Sequence, residues 1–137
     1  MALVIRQSIR YAKPLQPAFR YDMKYEDPEF TPKALMELDS EDPDVVCSAL
    51  VAICLNSGNY NLSINSVHKT IISDNDQIKS LAIICVGHIA RIWRKIPQDL
   101  VKVVEEVWLD KNKPLWGYAD DAISDLEIFI KGYQKPR

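Results

Sequence analysis

Glycine is scarce in this chain of 137 residues: the 4 present, Gly58, Gly87, Gly117 and Gly132, are isolated from one another. That excludes a glycine-rich phosphate loop, whose backbone must approach its anion at several adjacent positions. It also leaves few residues for hairpin turns, and no segment sustains the apolar–polar alternation of a strand. Long apolar runs are missing as well. None reaches the ~20 residues needed to cross a bilayer. In the opening MALVIRQSIRYAKPL, Arg6 interrupts the apolar core that a signal peptide would need. Charge of one sign is not clustered: 17 Lys and Arg against 19 Asp and Glu give a net charge of −2. The densest basic group, Arg6, Arg10 and Lys13, is short, so neither a nucleic-acid face nor a membrane-binding face is expected. The cysteines Cys47, Cys54 and Cys85 are odd in number and sit at apolar helical positions. They point to reduced thiols in a cytoplasmic compartment rather than to a disulfide frame.

What the chain does have is helical periodicity. From Asp74 to Trp93 the apolar residues Ile78, Leu81, Ala82, Cys85, Val86, Ile89, Ile92 and Trp93 recur at i, i+3, i+4, i+7. Thr31-Pro32 predicts a short helix before it, with Ala34, Leu35 and Leu38 turned inward. Asp42-Pro43-Asp44 opens another, running to about Leu55 and stopped by Asn56-Ser57-Gly58. A helix from about Leu62 to Ser73 faces inward with Ile64, Val67, His68, Ile71 and Ile72. Beyond Ile96-Pro97 come helices bearing Leu100, Val103, Val104, Val107 and Trp108, then, from Leu115 to Tyr133, Ala119, Ala122, Ile123, Leu126 and Ile130. An all-α fold follows. Residues 1–137 make one domain: an N-terminal arm or cap over 1–27, helical repeats over 28–133 and a tail over 134–137.

The helices repeat. Val46, Ala49, Leu50, Ile53 and Cys54 match Ile78, Leu81, Ala82, Cys85 and Val86 at an offset of 32, with Asp44 on Asp76 and Ser48 on Ser80. Ile64, Val67, His68, Ile71 and Ile72 fall on Leu100, Val103, Val104, Val107 and Trp108 at an offset of 36. Two helices per unit at such a period predict a short α-solenoid of about three helical hairpins. Asp76 followed by Ile78-Lys79-Ser80-Leu81-Ala82 and Val86-Gly87-His88-Ile89-Ala90 resembles the first helix of a HEAT repeat. The resemblance implies a right-handed superhelical stack in which a small residue and a glycine let helices approach. Gly87-His88-Ile89-Ala90-Arg91 together with Asp121-Ala122-Ile123-Ser124-Asp125-Leu126-Glu127-Ile128-Phe129 is similar to small bacterial HEAT-like proteins of contact-dependent growth inhibition and polymorphic-toxin loci. Those proteins act as immunity proteins, antitoxins that bind a cognate toxin domain.

Candidate chemistry is thin. Cys85 and His88 lie one turn apart, but zinc needs three or four ligands and Cys47, Cys54 and His68 occupy core registers, so cysteine reads as a small hydrophobe. His68 is expected to be a core or hairpin histidine with its nitrogens bonded to backbone. Neither histidine is followed by Glu, which removes the His-Glu iron ligands of HEAT-like hydroxylases. The basic concave face of HEAT-like DNA glycosylases is also absent. No Ser or Cys stands beside an oriented histidine. No catalytic residue, cofactor or metal is therefore expected.

The acidic residues carry more. Glu105, Glu106 and Asp110 lie on and past the fifth helix, and Asp121 and Asp125 form an i, i+4 pair expected on an exposed edge of the sixth, near Asp120 and Glu127. Such a surface suits the basic cleft of a nuclease toxin, with Trp116 and Tyr118 as candidate anchors. A solvated face with carboxylates near a helix N-terminus is the bland counterpart. By HEAT convention the inner surface presents Asn65, Lys69 and Thr70 from one hairpin, and Lys102, Glu105 and Glu106 from the next. The expected function is a non-catalytic immunity protein that binds the C-terminal domain of a cognate toxin. The alternative is a HEAT-like adaptor in a larger bacterial assembly.

Overall fold

The computed structural model describes residues 30–137; the expected arm over 1–27 lies outside them. Six helices and no strand occur among the described residues, so this part of the chain is all-α. They are α1 (Phe30–Glu37), α2 (Pro43–Asn56), α3 (Tyr60–Ile71), α4 (Asp76–Trp93), α5 (Gln98–Trp108) and α6 (Trp116–Phe129).

Local chemistry sets most of the ends. Asp42 Oδ1 accepts from Asp44 N at 2.9 Å with Pro43 at the first position of α2, where a missing N–H costs nothing. Asn59 and Asn75 cap α3 and α4 in the same way, through Leu62 N at 2.9 Å and Ile78 N at 3.0 Å. Gly58 takes a φ of 64° in the turn after α2, a region that favours glycine. α1 begins at Phe30, so Pro32 lies within the first turn rather than opening it, and Leu35, expected inward, is 43% exposed. α6 stops at Phe129, short of the expected Tyr133, because Ile130 turns extended and Gly132 (φ 82°) reverses the chain.

α4 is the centre of the arrangement. It packs on α2, α3 and α6, whereas α5 rests mainly on α6, and α1 on α2. Near the start of α4, Gln77 Nε2 donates to Asp44 Oδ1 at 2.7 Å and Cys47 Sγ approaches Gln77 O at 3.7 Å; further along, Cys85 meets Cys54. α2 and α4 are therefore parallel. On the other side a Cβ on Gly87 would lie 3.3 Å from Ala122 Cα and 2.5 Å from Asp125 Oδ2, and the Arg94 guanidinium sits 4.9 Å over Phe129. α4 and α6 are thus also parallel, and Gly87 permits their close approach. α3 runs the opposite way, with Tyr60 edge-on to Trp93 at 5.8 Å. One core cluster extends from Ala34 to Leu126, and in α4 it takes in Ile83, Ile84 and Ala90, off the main stripe, as well as Leu81, Val86 and Ile89.

Candidate functional site

The predicted surface residues separate by burial and partner. Tyr118 is only 7% exposed, so it belongs to the core and cannot anchor a partner. Trp116 is half-buried, and its Nε1 donates to Trp108 O at 2.7 Å. Trp108 Nε1 in turn donates to Asp120 Oδ1 at 2.9 Å, and Tyr133 O–H donates to Glu105 Oε2 at 2.8 Å. Trp116 and Glu105 thus hold α5, α6 and the C-terminal segment together. Burial, with the Glu105 carboxylate beside it, pushes the Tyr133 phenol well above its ordinary range. Asp121 and Asp125, expected on an exposed edge, are half-buried, and the Asp125 carboxylate lies against Gly87 of α4. α6 therefore turns Asp125 toward α4, and neither residue of the pair is fully exposed.

Lys69, Lys102, Glu106 and Asp110 are exposed. Lys69 belongs to α3 and forms an ion pair with Asp39, in the turn after α1. Lys102 and Glu106 lie on the outward stripe of α5, which continues through Leu109 to Asp110 just beyond the helix end. Leu109 is 61% exposed, and Ile72, at the end of α3, is 77% exposed. Both escaped sequence reasoning. Ile72 was expected on the buried face, but α3 ends at Ile71 and the chain leaves the core there. Leu109 had a legible signal, since it lies three positions after Glu106 and seven after Lys102 on a polar stripe. Thr70, expected on the inner surface, is buried, with its hydroxyl donating to Ser66 O at 2.8 Å.

His68 bridges the two helices. Its Nε2 lies 2.9 Å from Asp99 Oδ2, so the partner is a carboxylate at the start of α5 and not the expected backbone. This hydrogen bond, first among the causes, holds the Asp99 carboxyl below its ordinary range. α3 exposes Asn61, Asn65, Lys69 and Ile72, α5 and its C-terminal turn expose Lys102, Glu106, Leu109 and Asp110, and the His68–Asp99 bond joins the end of α3 to the start of α5.

The three cysteines are buried in packing positions. Burial, with the Asp44 charge nearby, pushes the Cys47 thiol up to about 11. Cys85 is raised by its contact with Cys54 and by burial, so neither thiol is poised as a nucleophile. Arg91 donates to His88 Nδ1 at 3.2 Å. Among the described residues no group of three His, Cys, Asp or Glu side chains is placed to hold a metal ion, and no helix is long and apolar enough to cross a membrane. No family model, curated protein or solved structure matches the chain. Its surface has to be read from its own chemistry. α3 and α5 each offer one exposed aliphatic side chain, Ile72 and Leu109, the latter on a stripe with Lys102, Glu106 and Asp110, where charges can orient an approach while apolar area is buried.

Proposed function

We propose that the chain is a cytoplasmic immunity protein that binds the C-terminal domain of a cognate toxin, a nuclease, without catalysis or cofactor, through the α3–α5 face. The observation that carries this is Leu109, left 61% exposed on the α5 stripe with Glu106 and Asp110, together with Ile72, 77% exposed at the end of α3. Exposed large aliphatics can serve as contact points, because a partner that covers them removes apolar area from water. Carboxylates beside Leu109 complement a cleft built to hold a phosphate backbone, and would speed encounter with it.

In this reading the helices form a short right-handed solenoid of HEAT-like hairpins, α2–α3 and α4–α5, closed by α6. Three observations support it: α2, α4 and α6 run parallel, their stripes repeat in sequence, and α3 and α5 connect them. Such a scaffold exposes the second helices of its hairpins as a nearly flat face, suited to an interface of ~1,600 Å² in total.

The test is co-expression with the toxin domain encoded immediately upstream. Co-purification as a complex tighter than micromolar is expected; a weaker dissociation constant, or the lack of any such gene, sinks the proposal. Glu106→Lys with Asp110→Lys should slow association by about tenfold at low salt and leave helicity intact. An unchanged on-rate would remove the acidic stripe from the interface.

A further inference from the structure

The parallel run of α2, α4 and α6 gathers their C-terminal ends at one pole, with the start of α3 beside them. This pole carries Arg91, Arg94, Lys95 and Lys131, all exposed. Among the described residues none of the four forms an ion pair. Beside them in sequence, Ile92 is 40% and Ile128 69% exposed, and the Arg94–Phe129 contact sets residues 91–95 next to residues 127–131.

Arg94 has a φ of 59°, the one left-handed non-glycine backbone among the described residues. Glycine or asparagine would close α4 with less crowding, by roughly 1 kcal/mol. Arginine instead lets Nε donate to Arg91 O at 3.2 Å while the guanidinium covers Phe129. Lys95 is placed similarly, with its ammonium 4.4 Å over the Tyr60 ring. Attraction to the carbonyl ends of the helices accounts for cations collecting here. It does not account for a left-handed arginine whose guanidinium is fixed over Phe129.

We propose that this pole is a docking surface for a protein partner that presents carboxylates around an apolar contact. Charge complementarity selects the carboxylates, and the exposed Ile92 and Ile128, on the two segments that the Arg94–Phe129 contact joins, supply the apolar contact. Single-stranded nucleic acid fits less well, because the ring faces it would stack on are already capped by Arg94 and Lys95. A bilayer surface would draw on inserted aromatic side chains, and Phe129 lies beneath Arg94. The inference goes beyond the function proposed above and uses none of the α3–α5 face, so either can fail alone.

The test is an amide chemical-shift titration of the full chain with a synthetic helical peptide bearing leucine at i, i+3, i+4, i+7 and glutamate elsewhere. Controls are the same peptide with lysine for glutamate, a thymidine oligonucleotide, and phosphatidylserine vesicles. Micromolar binding with shifts at residues 91–95 and 127–131 is expected, weakened about tenfold or more by Arg91→Glu with Lys95→Glu. Arg94→Gly should also weaken binding while keeping or raising the melting temperature, since glycine relieves the left-handed strain. Shifts that map elsewhere, equal binding of the lysine peptide, or tighter binding of the oligonucleotide or vesicles would each overturn the proposal.

Discussion

α2 and α4 share one apolar stripe at an offset of 32, yet they live in different surroundings. Ser80 of α4 is 2% exposed, while its counterpart Ser48 in α2 is exposed. Ile83, two positions before Cys85, is fully buried, whereas its counterpart Val51 is only half-buried. Gly87 stands against α6 where α2 has the half-buried Leu55. The stripe identifies a helix and one inward face. The residues off the stripe report how many neighbours that helix has, and α4 has them on three sides because α2, α3 and α6 all pack on it.

This contrast can be broken from the centre outward. Leu81→Asp, at 3% exposure, buries a charge among α4's neighbours and should cost more than about 4 kcal/mol, unfolding the chain cooperatively by circular dichroism. Ser80→Lys should cost about 3 kcal/mol in urea denaturation, whereas Ser48→Lys stays within about 0.5 kcal/mol. Equal costs would show that α4 is no more enclosed than α2. Gly87→Leu forces side-chain atoms into Ala122 and Asp125 and should cost about 1–3 kcal/mol. A neutral result would place α6 further away.

The cysteines sharpen the same contrast more gently. Cys47 of α2 ionises near 11 when folded and near 9.0 when not, so its contribution is complete below pH 9 and declines as pH rises toward 11. Urea midpoints should fall over that window. Native Cys47 should react with a thiol reagent more slowly than a free thiol, because burial both limits access and leaves less of it as thiolate. Cys85 of α4, fully buried, should wait for unfolding.

Much of this layout was legible residue by residue. Asp42-Pro43 placed the start of α2, and the i, i+3, i+4, i+7 stripe from Ile78 to Trp93 placed α4. The last helix was read too long because Ile130 and Tyr133 continue its apolar stripe in sequence. They fold back through Gly132 and the Tyr133–Glu105 hydrogen bond, a contact that no local pattern announces. The His68–Asp99 bridge depends on the turn through Arg94 and Pro97, which sets how far α5 is staggered along α3. Among the candidate surface residues, Tyr118 was misjudged although Ala119 and Ala122 already marked that side of α6 as apolar. Its acidic neighbours drew attention from its register.

The contact between α4 and α6 has a temporal side. A chain emerges from the ribosome N-terminal end first. α2, α3 and α4 can therefore assemble while α6, nearer the C-terminus, is still being made. Throughout that interval the side of α4 around Gly87 has no cover, and the element at the middle of the fold is among the last to be completed. Until α6 arrives, that strip lacks the cover that Ala122 and Asp125 later give it.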